Sequence, residues 1–139
     1  MVVPLILERP RLIHCAGCDL YITHEKGVAF GHKGLRLWQL PYGESSNLER
    51  SRIDYGELHC QLVEVEPALR LGVYDERLME VGEVDSGLTW HKAGLDMWFE
   101  PDSVVHFVED APLHADDIGY YAWRWDMHTI LEGYRYFEK

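Results

Sequence analysis

Short β-favouring runs recur from residue 2 to residue 109, and residues of strong turn preference separate them. The runs are 2–8, 11–15, 19–25, 27–32, 35–40, 58–65, 69–75, 78–84, 88–92, 95–100 and 103–109; Pro10, Gly17, Gly27, Gly34 and Pro41-Tyr42-Gly43 punctuate the first half. Strands spaced about 8–12 residues apart with regular turns predict a sandwich or a barrel. A polar segment, 43–57, holds too few apolar residues for a core element. Helix is expected only near the end. There Tyr120, Trp123, Met127, Ile130, Leu131, Tyr134 and Phe137 recur at steps of three and four, one apolar face of a helix over about 116–137. Asp116 or Asp117 caps it, Arg124, His128, Glu132 and Arg135 form its polar ridge, and Trp123, Met127, Leu131 and Tyr134 are expected to be buried against the barrel or a second subunit. Tyr121, Trp123, Trp125 and Met127 also alternate as in a strand, but the longer period favours the helix.

The fold class predicted is therefore all-β with a C-terminal α-helix. A chain of 139 residues suits one domain, divided into N-terminal strands (1–34), a core (35–112) and the helical end (113–139). Thirteen Lys and Arg against twenty-four Asp and Glu give 13 − 24 = −11. That charge opposes direct contact with nucleic acid or an anionic membrane, and leaves room for a basic protein partner. "MVVPLILERPRLIHC" has no basic leader and no stretch approaches 18 apolar residues, so the expected location is the cytoplasm. The three cysteines, Cys15, Cys18 and Cys60, are not a disulfide framework.

"LRLWQLPYGESSNLERSRIDYGELHCQLVEV" and "HKAGLDMWFEPDSVVHFVEDAP" together resemble the two halves of the cupin superfamily motif, over residues 35–112. Ala93-Gly94-Leu95-Asp96 falls at the turn of the second half and His106 at its motif histidine. The resemblance implies a double-stranded barrel with a small molecule in its mouth and a single divalent metal, Fe, Mn or Zn. Glu49-Arg50-Ser51 stands where the family has its histidine pair, and Asp54 is the carboxylate nearest its acidic ligand. Glu49, Asp54 and His106 are thus one candidate metal set, suited to Fe(II) or Mn(II). In a second register His59, Gln61 and Glu64 oppose His106; His59 and Gln61 share a strand face. Parity after Ser103 puts Val104, His106 and Val108 on one face and Val105, Phe107 and Glu109 on the other. The His106 face is expected to point inward, with His106, His59, Gln61 and Trp98 as ligand-binding residues and no strong metal at His106.

Cys15 and Cys18 form a C-x-x-C with His14, His24 and His32 nearby, a candidate zinc knuckle that lacks its second half. No nucleophile elbow and no phosphate-binding glycine loop occurs, so no catalytic residue is assigned. From Ala93 to Trp123 there are seven acids and no Lys or Arg, with Trp98, Phe99, Phe107, Tyr120 and Tyr121 among them: an acidic, aromatic rim. Three functions follow as expectations: a small-molecule-binding protein that uses a metal if it is an enzyme; an acidic inhibitor or immunity-type protein masking a basic site on a partner; and a structural subunit or homodimer built on the C-terminal helix.

Overall fold

The fold is built outward from "VVPLILE", strand β1 (Val2–Glu8), in which every residue after Val2 is buried. Both faces are covered: Val3, Leu5 and Leu7 enter the larger of two apolar clusters and Ile6 the smaller. A strand covered on both sides shows no polar alternation, which is why this run is apolar throughout. The computed structural model describes residues 1–9, 11–20, 22–23, 27–28, 36–43, 48–78, 81–108 and 114–137. Its main sheet has the order β2-β1-β6-β5 and curls into a half-barrel. Strand β2 (Leu12–Cys15) pairs antiparallel with β1, and β5 (Ser51–Arg52) antiparallel with β6 (Trp98–Phe107). Strands β3 (Ile22–Thr23) and β4 (Gly27–Val28) pair antiparallel in a separate two-stranded sheet.

The central pair, β1 with β6, is parallel. A parallel pair needs a long crossover, and here the crossover carries two helices where strands were expected. Helix α1 (Val65–Leu71) replaces parts of the runs 58–65 and 69–75. Its Pro67 lies in the first turn, where a missing N–H costs nothing. Helix α2 (Gly82–Lys92) replaces 78–84 and 88–92. It buries Gly82, Val84, Ser86, Gly87 and Trp90, a face made largely of small residues, so no apolar period of 3.6 shows in the sequence. The chain is therefore mixed α/β, and the all-β class is overturned.

Ala93-Gly94-Leu95-Asp96 is indeed a turn, but it ends α2. Gly94 N–H donates to His91 O (2.9 Å) and Leu95 N–H to Trp90 O (3.0 Å), with Gly94 at φ 74°. That pair of bonds is a Schellman cap, which favours glycine in the left-handed position.

Helix α2 lies close on the segment that follows β5. A Cβ at Gly87 would stand 2.6 Å from Asp54 O and 2.7 Å from Tyr55 Cβ. Gly87→Ala should therefore destabilise by about 1–3 kcal/mol, although alanine is the better helix former. Urea unfolding of the variant checks this, and an unchanged or raised midpoint would show that α2 can move away from that segment.

The C-terminal helix is present but divided. A 3-10 turn (Ala115–Asp117) leads into α3 (Ile118–Arg124), and α4 (Met127–Phe137) follows after a break. The break has a cause in the sequence. Asp126 Oδ2 accepts hydrogen bonds from Thr129 N (2.9 Å) and Thr129 Oγ1 (2.8 Å), so Asp126 opens a new helix. Those donors hold its carboxyl below the usual range. Trp123, Met127, Leu131 and Tyr134 are all exposed, so the expected burial of this face on the chain's own body does not occur. No helix among the described residues is long and apolar enough to cross a membrane.

Candidate metal centre

Strand β2 carries a one-residue irregularity that aims a histidine. Ile6 pairs with Cys15 and Leu7 with Ile13, so His14 is an extra residue opposite no partner. Such bulges redirect a side chain out of the alternating pattern. His14 turns to the end of β1, where Nδ1 lies 2.9 Å from Glu8 Oε2. Its other nitrogen, Nε2, lies 2.9 Å from Glu57 Oε2. That same oxygen is 3.0 Å from His59 Nδ1. Ligand atoms of His14, Glu57 and His59 all fall within 4.8 Å of one another, and this is the group of three or more His, Cys, Asp or Glu side chains that could hold a metal among the described residues.

The support around the three is specific. Gln39 Nε2 donates to Glu8 Oε1, so Glu8 is held while it orients His14. The Gln61 side-chain amide donates to Gly56 O (2.8 Å) and Glu57 O (3.2 Å), which closes the turn bearing Glu57 and His59. Leu58 N–H reaches Glu83 Oε1 on α2 at 3.4 Å. The Phe107 ring packs on His14 (5.1 Å between centroids) and on His59 (4.3 Å).

The electrostatics favour a cation here. Among the described residues, the ion pairs of Glu8 and Glu57 go to histidines alone. With Nδ1–H given to Glu8, His14 Nε2 presents a lone pair. It is buried, has no hydrogen-bond partner, and faces the Glu57 carboxylate out of line for a hydrogen bond. Two acceptors this close repel unless a proton or a metal ion lies with them. The hydrogen bond to Glu57 holds the His59 pKa above its ordinary value, against the opposing effect of burial. In the metal-free protein His59 therefore adds stability that is fully present below about pH 6.5 and is lost as pH rises through the raised value.

The residues expected from sequence are placed differently. His106 is exposed on β6. Pro4 pairs with Glu100 and Leu5 with Val104, so Pro101, Asp102 and Ser103 are extra residues, and beyond them Val105 and Phe107 turn inward onto Ile6, Cys15 and Cys18. The grouping of the two faces was correct and the inward one was not. Phe107 with Val105 offers more apolar area than Val104 with Val108, and the larger area is buried. Glu109 lies outside the described residues. Glu49 is exposed, and Asp54 Oδ2 accepts from Leu20 N–H (2.6 Å), so Glu49, Asp54 and His106 form no common group. His59 does join the centre, while Gln61 supports its backbone. Trp98 lies at the β5 edge between Arg50 and Arg52, 5.2 and 5.4 Å from its ring.

Cys15 and Cys18 are buried with Sγ atoms 3.6 Å apart. The hydrogen bond shared with Cys15, then burial, pushes the Cys18 thiol far up in the metal-free protein. His24 and His32 lie outside the described residues. Part of the acidic rim is occupied within the chain, since Asp96 holds Arg52 (2.8 Å) and Glu100 lies 3.7 Å from Arg50.

Sequence reading named His14 only beside the Cys15–Cys18 knuckle, not with His59, and missed Glu57 altogether. Glu57 and His59 lie on a turn and not on the strand expected over 58–65, so strand parity gave no signal for Glu57. No family model matches this chain, and none of the curated proteins or solved structures compared with it is similar to it, so these residues take their meaning from their own geometry.

Proposed function

We propose that the protein binds one divalent metal ion through His14, Glu57 and His59, and that the coordination positions left open take a small molecule. The observation that carries this is the orphaned His14 Nε2, buried against Glu57 and oriented from behind by Glu8. A carboxylate behind a ligating imidazole is the usual way a metal histidine is fixed in tautomer and direction. Donor atoms bound to one ion at about 2.0–2.1 Å stand roughly 2.9–3.4 Å apart, and the two nitrogen-to-Oε2 distances here are 2.9 and 3.0 Å. Two imidazoles and one carboxylate suit Zn(II), Fe(II) or Mn(II). Such an ion acts as a Lewis acid on a bound carbonyl or lowers the pKa of bound water. The chain's own part is to hold the donors, to keep Nδ1 of His14 protonated through Glu8, and to wall one side with Phe107.

The test is equilibrium dialysis of metal-stripped protein against Zn(II), Mn(II) and, without oxygen, Fe(II). One equivalent bound by the wild type supports the proposal; no binding of any of the three removes it. Glu8→Gln should keep one equivalent and weaken it about 10–100-fold, because the ligand itself remains and only its orientation and basicity are lost. Binding should also weaken as pH falls through the raised His59 value, since protons and metal compete for the same nitrogen. An affinity that is flat with pH would point to carboxylates alone.

A further inference from the structure

We infer that α3 and α4 form the interface of a symmetric homodimer, with the same face of a second copy as its partner. Ile118, Trp123, Trp125, Met127, Leu131 and Tyr134 are 37–63% exposed, and Gly133 is the buried residue of the two helices. Met127, Leu131 and Tyr134 stand at i, i+4 and i+7, one stripe of α4, and Trp123 and Trp125 adjoin its start. Large aromatic side chains gathered on a surface mark an interface rather than scattered exposure. Helices of 7 and 11 residues are also too short to be stable in water without packing.

Charge identifies the occupant. Residues 118–137 hold Arg124 and Arg135 against Asp126 and Glu132, a net charge of zero within a chain of −11. A face for a basic partner would carry the acids. This neutral face is instead where two acidic copies meet with least repulsion.

Light scattering on the full chain, eluted from a sizing column at several concentrations, tests the proposal. The expected mass is twice the chain's 16.2 kDa. Added salt should tighten the dimer several-fold, because it screens the repulsion of two acidic bodies. Met127→Asp with Leu131→Asp should weaken dimerisation at least about a hundredfold. Leu69→Asp, on the exposed stripe of α1, should leave it unchanged. A wild type that stays monomeric at about 100 µM, in the range of weak association, overturns the proposal whatever the variants do. So does a dimer that survives the double substitution, or one that Leu69→Asp abolishes.

Discussion

His14→Ala is expected to abolish stoichiometric metal binding, with a loss of at least about a hundredfold in affinity, where Glu8→Gln only weakens it. The reason is positional. His14 is the bulged residue of β2, so neither Leu12 nor Cys15 can supply a donor in its place. Without the imidazole only Glu57 and His59 remain, a pair two residues apart on one turn. The effect is also visible without measuring bound metal. A ligand present at about 100 times its dissociation constant adds roughly 2.7 kcal/mol to stability. Wild-type protein should thus gain several degrees in melting temperature on adding metal, and the variant should gain none. The metal-free variant should be less stable than metal-free wild type by about 1–3 kcal/mol, because Glu8 loses the Nδ1–H it accepts and its side chain is 12% exposed, too little for water to replace that donor. A variant that still gains stability from metal would place the ion elsewhere.

How much of this could be read beforehand differs by element. The apolar run of β1 and the short β2 were legible because they are continuous apolar strands bounded by Arg9-Pro10 and Gly17. The C-terminal helicity was legible because its apolar period survives across the break at Asp126. Helix α2 was not legible: Gly82, Ser86 and Gly87 give it a close-packing face without apolar period, and "LTWHK" reads as strand. Misreading α2 converted its C-terminal cap, Ala93–Gly94, into a barrel turn and so placed His106 on an imagined interior. The metal centre was half legible. His59 was named, but its partners come from 45 residues upstream and from two residues before it. His14 reaches the site only because the β1–β2 register slips by one residue, and register is a property of the pairing that no single run displays.

Trp90→Ala is the substitution with the largest expected cost to the fold, about 3–5 kcal/mol. Trp90 is 1% exposed and lies among Val3, Leu5, Ile13, Met97 and Phe99, where β1, β2 and β6 meet α2. It is also the residue whose carbonyl takes the Leu95 N–H in the cap that turns the chain from α2 into β6. Removing the indole opens a cavity beneath the sheet, and the neighbours cannot collapse into it, because Gly87 already holds α2 in close contact with Asp54 and Tyr55. The indole N–H to Gly72 O is long, 3.4 Å, so most of the cost is packing rather than hydrogen bonding. Trp90→Phe, which keeps much of the ring and loses that N–H, should cost clearly less than the alanine variant. Domains of this kind have about 5–15 kcal/mol in total, so Trp90→Ala should remain folded only at low temperature. Denaturant unfolding at about 10 °C, near the usual stability maximum, gives the difference, with an unchanged slope as the sign that the unfolded state is unaltered. While folded, it should still take up one metal ion, because none of His14, Glu57 and His59 lies on α2. A loss below about 1 kcal/mol would mean that α2 is not seated on the sheet through Trp90.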